Sequence, residues 1–277
     1  MHETDDSPPP RPRHAGHADA LAAGDVVVLV DRKGRRYLVT LSDGATFHYH
    51  GGAVAHDDLI GRPEGLGVRS ARGTHLLALR PTAADWTLKS KRGAQVVYPK
   101  DQAMIVGLAD IGPECTVVEA GAGSGALSSA LLRAVGERGR VISFEVREDH
   151  AAVAARNVAA RFGGHPETWE LRVGDVVDGL GEVACDRLVL DLLEPDTALP
   201  AGAAALRPGG ILCAYTPTVP QVMRLREALD ADGRWGLAET VETLVRGWHV
   251  DGLAVRPDHR MVAHTAFLTT ARRLANA

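Results

Sequence analysis

The apolar positions of this chain fall into two regimes. Between Gly24 and about residue 90 they form short β-rich runs: Asp25 to Val30, Arg36 to Leu41, Ala45 to Tyr49 and Leu76 to Arg80. Turn sequences stand among them, Asp31-Arg32-Lys33-Gly34, Ser42-Asp43-Gly44 and Arg72-Gly73. Short strands at this spacing predict a small antiparallel barrel, with Gly51-Gly52 and the Gly61–Gly67 stretch as loops on it. From Thr116 onward, strand-length apolar runs alternate with stretches of helical period. Strands are predicted at 116–119, 141–145, 169–173, 187–191 and 211–215, and helices at 126–135, 149–161, near 197–205 and at 219–231. That alternation predicts a doubly wound parallel sheet covered on both faces. Two last strand-like runs, Ala238 to Val245 and Ala263 to Thr270, flank an Arg256–Arg260 loop and bring the sheet to seven strands. Between the two regimes, Asp101 is the predicted cap of a helix from Gln102 to Leu108, with Pro113 beyond its end.

Composition changes this picture little. Of 277 residues, 45% are hydrophobic and 24% charged, ordinary for a globular chain, and the 4% aromatic content leaves the core to Val, Leu and Ala. Residues 1–22, rich in Pro, His and Asp, are expected to be a disordered tail; 23–90 a small β domain; and 91–277 the main α/β domain. His2, His14 and His17 in the tail have no metal spacing. No apolar run approaches the roughly 18 residues of a membrane span, and the N-terminus has no apolar signal core. Cys115, Cys185 and Cys213 are odd in number, far apart and not in metal spacing, so free thiols in a reducing cytoplasm are expected. A net charge of −4 argues against an overall basic nucleic-acid binder but leaves a local basic surface open.

The chemistry concentrates in Thr116–Glu145. A β-branched run ends on Glu119; Gly121, Gly123 and Gly125 follow; a helix begins at Ala126 and carries Leu127; and a second strand ends on Glu145. This is a βαβ unit whose glycines admit a ligand close to the backbone, and whose second acid can hold a ribose diol. Two nucleoside cofactors fit. Gly121-x-Gly123-x-x-Ala126 satisfies the dinucleotide fingerprint of an NAD-dependent oxidoreductase. Glu119-x-Gly121-x-Gly123-x-Gly125 has the form used for S-adenosylmethionine. A glycine turn without a ligand is the third possibility. The terminal strand pair, added after five βα units, suits a methyltransferase sheet better than a dinucleotide fold.

In an open α/β sheet the ligand lies beyond the carboxyl ends of the strands. The four predicted tips present Glu119, Glu145, Asp175 after Gly174, and Asp191. Singly, each is readily a solvated turn acid; four in succession form a constellation. Glu145 can accept both ribose hydroxyls, and Asp175 can accept from an adenine amino group. Asp191 would face the sulfonium end, where a carboxylate can stabilise a cation developing on the acceptor.

Taken together, these residues resemble the bacterial and archaeal tRNA (adenine-58-N1)-methyltransferases, especially their actinobacterial branch. The likeness runs from Gly24 to Leu274 and rests on Arg92 to Asp101 (RGAQVVYPKD), Glu119 to Leu127 (EAGAGSGAL), Gly247-Trp248, Gly252 to Pro257 (GLAVRP) and His264 to Leu268 (HTAFL). The resemblance implies an S-adenosylmethionine-dependent enzyme that methylates N1 of an adenine in the tRNA T-loop, as a homotetramer, with no metal and no membrane partner. It implies that Ser124, Gly125, Ala126, Leu127, Glu145, His150, Asp175, Val176 and Asp191 line the cofactor site. Asp191 is then the catalytic residue, and Tyr98 shapes the catalytic mouth around a flipped base.

Purchase on RNA would come from Lys89, Lys91, Arg92 and Lys100, from Arg32, Lys33, Arg35 and Arg36, and from Arg256, His259, Arg260 and His264. One departure stands out. The family has a proline followed by tryptophan after the position of Leu193, whereas here Pro195 is followed by Asp196. A paralogue acting on another RNA position, a nucleoside or a small metabolite is therefore a second reading, and a non-catalytic RNA-binding subunit a third.

Overall fold

The structure is a computed structural model that describes residues 20–91, 93 and 95–275. Arg92 and most of the N-terminal tail lie outside the described residues. The chain divides into two compact units, one comprising residues up to Lys91 with Ala155–Pro166, the other Arg92–Ala154 with Glu167–Ala277.

The first unit contains β1 (Val26–Asp31), β2 (Arg36–Thr40), β3 (Thr46–Tyr49), β4 (Gly52–Ala55), β5 (Leu66–Arg69), β6 (His75–Leu79) and α1 (Ala83–Lys89). The expected small antiparallel β domain is built from a sheet of order β2-β1-β6-β5 and a separate β3-β4 hairpin. Alternate strand positions, among them Val27, Leu29, Val39, Val68 and Leu76, bury one face into a common core. The stretches read as loops contain β4 and β5. Glycine misled there, because it serves close packing as well as turning: a Cβ on Gly67 would lie 2.3 Å from the His75 ring. Helix α1 begins with a reciprocal capping box between Thr82 and Asp85.

The second unit begins with α2 (Pro99–Leu108). Five parallel strands follow with their helices: β7 (Thr116–Ala120), α3 (Ala126–Val135), β8 (Arg140–Glu145), α4 (Glu148–Phe162, which from Ala155 on belongs to the first unit), β9 (Trp169–Val173), α5 (Val176–Gly179), β10 (Cys185–Leu190), α6 (Leu199–Ala205), β11 (Leu206–Thr216) and α7 (Val219–Ala231). The chain ends with β12 (Trp235–Glu242), β13 (Trp248–Asp251), β14 (Ala254–Pro257) and β15 (Phe267–Arg273). The sheet order is β12-β15-β11-β10-β7-β8-β9, with β15 antiparallel to both its neighbours. Strand positions alternate between the two faces. Val118, Ala120, Ile142, Phe144, Leu188, Leu190 and Leu212 form one core with residues of α5, α6 and α7. Val117, Glu119, Val141, Ser143 and Val189 point the other way and are buried too. Burial on both sides is why these strands read as continuous apolar runs.

Two local expectations need correction. Pro99, whose fixed φ suits the first helical position, starts α2 earlier than expected. Asp101 therefore lies inside its first turn and bonds to side chains rather than capping the helix. Arg256 lies on β14, not in a loop, because Trp248 to Pro257 folds into its own two-stranded hairpin.

The fully buried Leu188 joins β10 to the helical layer. Leu188→Ala should lower the unfolding free energy by about 2–5 kcal/mol in urea denaturation, with an unchanged dependence on denaturant concentration.

Candidate active site

From β7 the chain winds outward to β8 and β9, then returns to place β10 on the other side of β7. That reversal opens a crevice beyond the carboxyl ends of β7 and β10. Its two walls are tied together: the Asp191 backbone N–H donates to the Ala120 carbonyl at 2.9 Å. At Gly121, with φ +92°, a Cβ would lie 2.2 Å from the Asp191 carbonyl oxygen, so any side chain would force the walls apart. The backbone N–H groups of Gly121 and Ala122 both donate to the Phe144 carbonyl, and Gly125 N–H closes a turn onto Ala122 before α3 begins. Gly123, at φ +53°, has only the Gly121 carbonyl, 4.0 Å away, near its missing side chain. The loop is thus packed on its inner side and open above Gly123.

Glu145 closes this loop from β8. Its Oε2 accepts from Gly123 N–H at 2.8 Å, and its Oε1 accepts from Arg147 N–H at 3.1 Å. Each oxygen keeps a second lone pair, as acceptance from a vicinal diol requires. Asp175 is exposed after β9 and caps α5 by accepting from Val177 N–H at 2.9 Å. Val176 and Leu127 are buried beside these turns, while Ser124 and Ala126 are half-buried. His150 stands in the first turn of α4, with its ring 3.6 Å from where a Gly93 Cβ would be. An acid-tipped second strand, an open glycine turn and a third-strand acid fit a nucleoside with a free ribose diol.

Glu119 does not share this position. Strand alternation turns it under α3, where it is 0% exposed. Its Oε2 accepts from Ser128 Oγ at 2.6 Å and Ser143 Oγ at 2.5 Å, and Ser143 is also held by the Trp169 indole N–H. Its Oε1 has no partner. Burial pushes the Glu119 carboxyl up to about 7 against the lowering effect of both serines, with Asp191 and Glu145 adding repulsion. Glu119 therefore braces the strand against α3 and presents no oxygen to a ligand.

Asp191 is held up at about 7 by burial first and by the Glu145 charge second. Near it stands Tyr215, at the end of β11, a strand tip that carries no acid. Burial, Asp101, Asp191 and Tyr98 all push the Tyr215 phenol up while the Thr265 hydroxyl lowers it. Tyr215 is thus within electrostatic reach of Asp191, Asp101 and Tyr98 at the end of β11. Asp196 follows in a short turn, with its Oδ1 buried and lacking a partner.

The basic candidates separate into two groups. Lys89 and Lys91 are exposed in the first unit, and Arg256, His259 and Arg260 are exposed in the second. Lys100 is not available to a phosphate: its ammonium is held by Asp101 and Thr265, each at 2.6 Å. His264 is engaged as well, Nδ1 with Glu242 and Nε2 with the Pro217 carbonyl, which together raise its pKa. In the first unit, Arg35 and Arg36 pair with Asp31 and Asp85. Among the described residues, no three His, Cys, Asp or Glu side chains gather as a metal site would need, and no helix is long and apolar enough to cross a membrane.

This sheet order, with the glycine turn at its switch and an acid on the next strand, is the fold of the S-adenosylmethionine-dependent methyltransferases. A solved structure titled a SAM-dependent O-methyltransferase from Thermotoga maritima superposes with a TM-score of 0.89 at 31% identity, over 95% of this chain and 98% of that one. Residues 74–255 match the family described as the tRNA methyltransferase complex GCD14 subunit, and residues 20–68 match the TrmI-like N-terminal family. The tRNA (adenine(58)-N(1))-methyltransferase TrmI of Thermus thermophilus is 42% identical over 248 residues, 89% of this chain and 96% of that protein. The TrmI of Methanocaldococcus jannaschii, a tRNA (adenine(57)-N(1)/adenine(58)-N(1))-methyltransferase, is 32% identical over 88% of this chain and 94% of its own length. The solved TrmI of Aquifex aeolicus has a TM-score of 0.82 at 28% identity, covering 93% of this chain and 100% of its own. The chain belongs to the GCD14/TrmI family of tRNA methyltransferases. The dinucleotide reading of the glycines falls with this result.

The buried Glu119 gives a stability test. Its ordinary value is 4.5 and its folded value about 7. Between them the folded protein keeps a proton that the unfolded chain releases, so the contribution of Glu119 to stability declines as pH rises through that window. Glu119→Gln keeps the shape without the charge. Urea midpoints measured at intervals from about pH 5 to 8 should fall less steeply in the variant than in the wild type.

Proposed function

We propose that this chain binds S-adenosylmethionine over the β7–β8 turn and methylates N1 of the adenine at position 58 in the T-loop of tRNA. The observation that supports this most is the position of Asp191 at the switch point, its N–H bonded to the Ala120 carbonyl just before the glycine turn, with Tyr215 in electrostatic reach. When bound, S-adenosylmethionine supplies an electrophilic methyl group on a sulfonium. Glu145 would accept the ribose hydroxyls, Asp175 the adenine amino group, and Ser124 to Leu127 with His150 and Val176 would line the remainder. The open face above Gly123 supports close approach of that nucleoside.

Asp191 would accept a hydrogen bond from the exocyclic amino group of the target adenine. That orients N1 for in-line attack and stabilises the positive charge the ring gains as the bond to carbon forms. Tyr98 and Tyr215 offer aromatic faces to a base drawn out of its stack. The exposed Lys89, Lys91, Arg256, His259 and Arg260, with Arg92, would take the phosphates. The hairpin β13–β14 leaves Trp248, Val250, Leu253 and Val255 exposed, an apolar surface that supports assembly with further copies of the chain as a homotetramer. The activity belongs in the cytoplasm, with its tRNA.

Asp196 supports one second reading, a paralogous methyltransferase with a different acceptor, because a carboxylate stands where the family has tryptophan. Incubation of unmodified tRNA with a labelled methyl donor, followed by mapping of the modified nucleotide, decides between them. Label at adenine 58 is expected; label elsewhere, or none on tRNA despite binding of S-adenosylhomocysteine, would overturn the assignment.

The role of Asp191 has its own signature. Only the ionised carboxylate brings the charge that stabilises the developing cation, so kcat/KM should rise with pH through about 7 and then level. Asp191→Asn should lower kcat about a hundredfold or more and abolish that rising limb, while leaving S-adenosylhomocysteine affinity nearly intact.

A further inference from the structure

Lys100 is the one basic residue of the Tyr98-Pro99-Lys100-Asp101 segment, and its ammonium is turned inward. Its side chain is 9% exposed and that of Asp101 is 0% exposed. Three side chains close a ring of hydrogen bonds. Lys100 Nζ donates to Asp101 Oδ1 at 2.6 Å and to Thr265 Oγ1 at 2.6 Å, and Thr265 Oγ1 donates to Asp101 Oδ2 at 2.7 Å. Both carboxylate oxygens, the hydroxyl and the charge are thereby satisfied inside the protein. A buried ion pair with so little access to water is poor evidence for stabilisation and much better evidence for a fixed geometry.

What the ring fixes can be traced on each side. On the α2 side, the Tyr98 carbonyl accepts from the backbone N–H of Asp101 and of Gln102, each at 2.9 Å. The Gln102 side chain then holds the carbonyl of Val97 at 2.9 Å. The backbone on both sides of the Val97–Tyr98 peptide is therefore set by the first turn of α2. On the other side, Thr265 leads into β15, whose Leu268 pairs with Tyr215 of β11. The neighbouring His264 is pinned to Glu242 and to the Pro217 carbonyl. The ring thus ties the segment that carries Tyr98 to the segment entering β15, the strand that pairs with Tyr215, across 164 residues of sequence from Asp101 to Thr265.

We propose that Lys100, Asp101 and Thr265 are positioning residues for the acceptor pocket: they set Tyr98 relative to Tyr215, the tyrosine next to Asp191, and Lys100 does not bind RNA. The inference rests on the proposed methyl transfer for its kinetic arm only. An adenine that must present N1 in line to a methyl group tolerates little displacement, and a shift of about 1 Å can cost a hundredfold in rate. Loss of the ring should therefore appear in kcat, while the donor site over β7 and β8 is untouched.

The test uses the full-length protein and the variants Lys100→Met, Thr265→Val, Thr265→Ser and the double variant Lys100→Met/Asp101→Asn, which leaves no orphaned buried charge. Lys100→Met, Thr265→Val and the double variant should lower kcat about tenfold to a hundredfold, with S-adenosylhomocysteine affinity by calorimetry within about twofold of wild type. Thr265→Ser, which keeps the hydroxyl, should restore kcat.

A second readout needs no turnover. The chain has four tyrosines, so incorporation of 3-fluorotyrosine yields four fluorine resonances, assigned with Tyr98→Phe and Tyr215→Phe. In the double variant the signals of Tyr98 and Tyr215 should move while those of Tyr37 and Tyr49 stay. Unmoved Tyr98 and Tyr215 signals, or equal losses of kcat and S-adenosylhomocysteine affinity, would overturn the proposal. So would a raised KM for tRNA with unchanged kcat and a salt dependence shallower by about one, the mark of a lost phosphate contact. Should the wild type bind S-adenosylhomocysteine yet leave tRNA unmethylated, the functional reading fails, and the fluorine spectra still decide the positioning role.

Discussion

The site depends on one close backbone approach. At the switch in strand order, the Asp191 carbonyl lies where a side chain on Gly121 would be, and the Asp191 N–H reaches the carbonyl of Ala120. This contact holds the tips of β7 and β10 together while their following segments diverge, one into the glycine turn and the other toward the acceptor side. The crevice exists because two parallel strands that are neighbours in space send their chains in opposite directions. Any widening at Gly121 would separate the glycine turn from Asp191, so the two walls of the crevice share a single contact.

Around that contact the protein gathers three carboxyl groups and assigns them different roles by environment. Glu119 is fully enclosed, satisfied by two serines on one oxygen, and carries a proton near neutrality. Glu145 spends one lone pair of each oxygen on backbone N–H groups and keeps one more on each. Asp191 is raised by burial and by Glu145, so its charge is poised rather than permanent. Their mutual repulsion makes the tip of the sheet a region that a cationic ligand or product would relieve. A sulfonium donor and a methylated adenine are both of that kind.

Much of this was legible along the chain because it is local. The strand tips, the glycine turn and α3 are set by residues close in sequence, and the helices at 126–135 and 219–231 fall where the periodicity places them. Glycine was the weak guide: at Gly67 it permits packing against His75 inside a strand, not a turn. Charge was another. Lys100 and His264 look like solvated cations in sequence, yet each is consumed by partners that local pattern does not reveal. Glu119 carries the motif's acid but faces the wrong side of the strand, since period-two alternation sends it under α3 while the glycines continue upward.

By itself the sequence determined the alternating strands and helices of the main sheet, the glycine turn and the carboxylate at the fourth strand tip, since periodicity, turn chemistry and strand-tip position each act over a few residues. The tertiary structure alone decided which of those residues meet. Tyr215 comes into reach of Asp191 through β11, and Thr265 meets Asp101 because β15 inserts antiparallel between β11 and β12. Contacts between segments so far apart are set by sheet order and burial, which no short stretch of chain encodes.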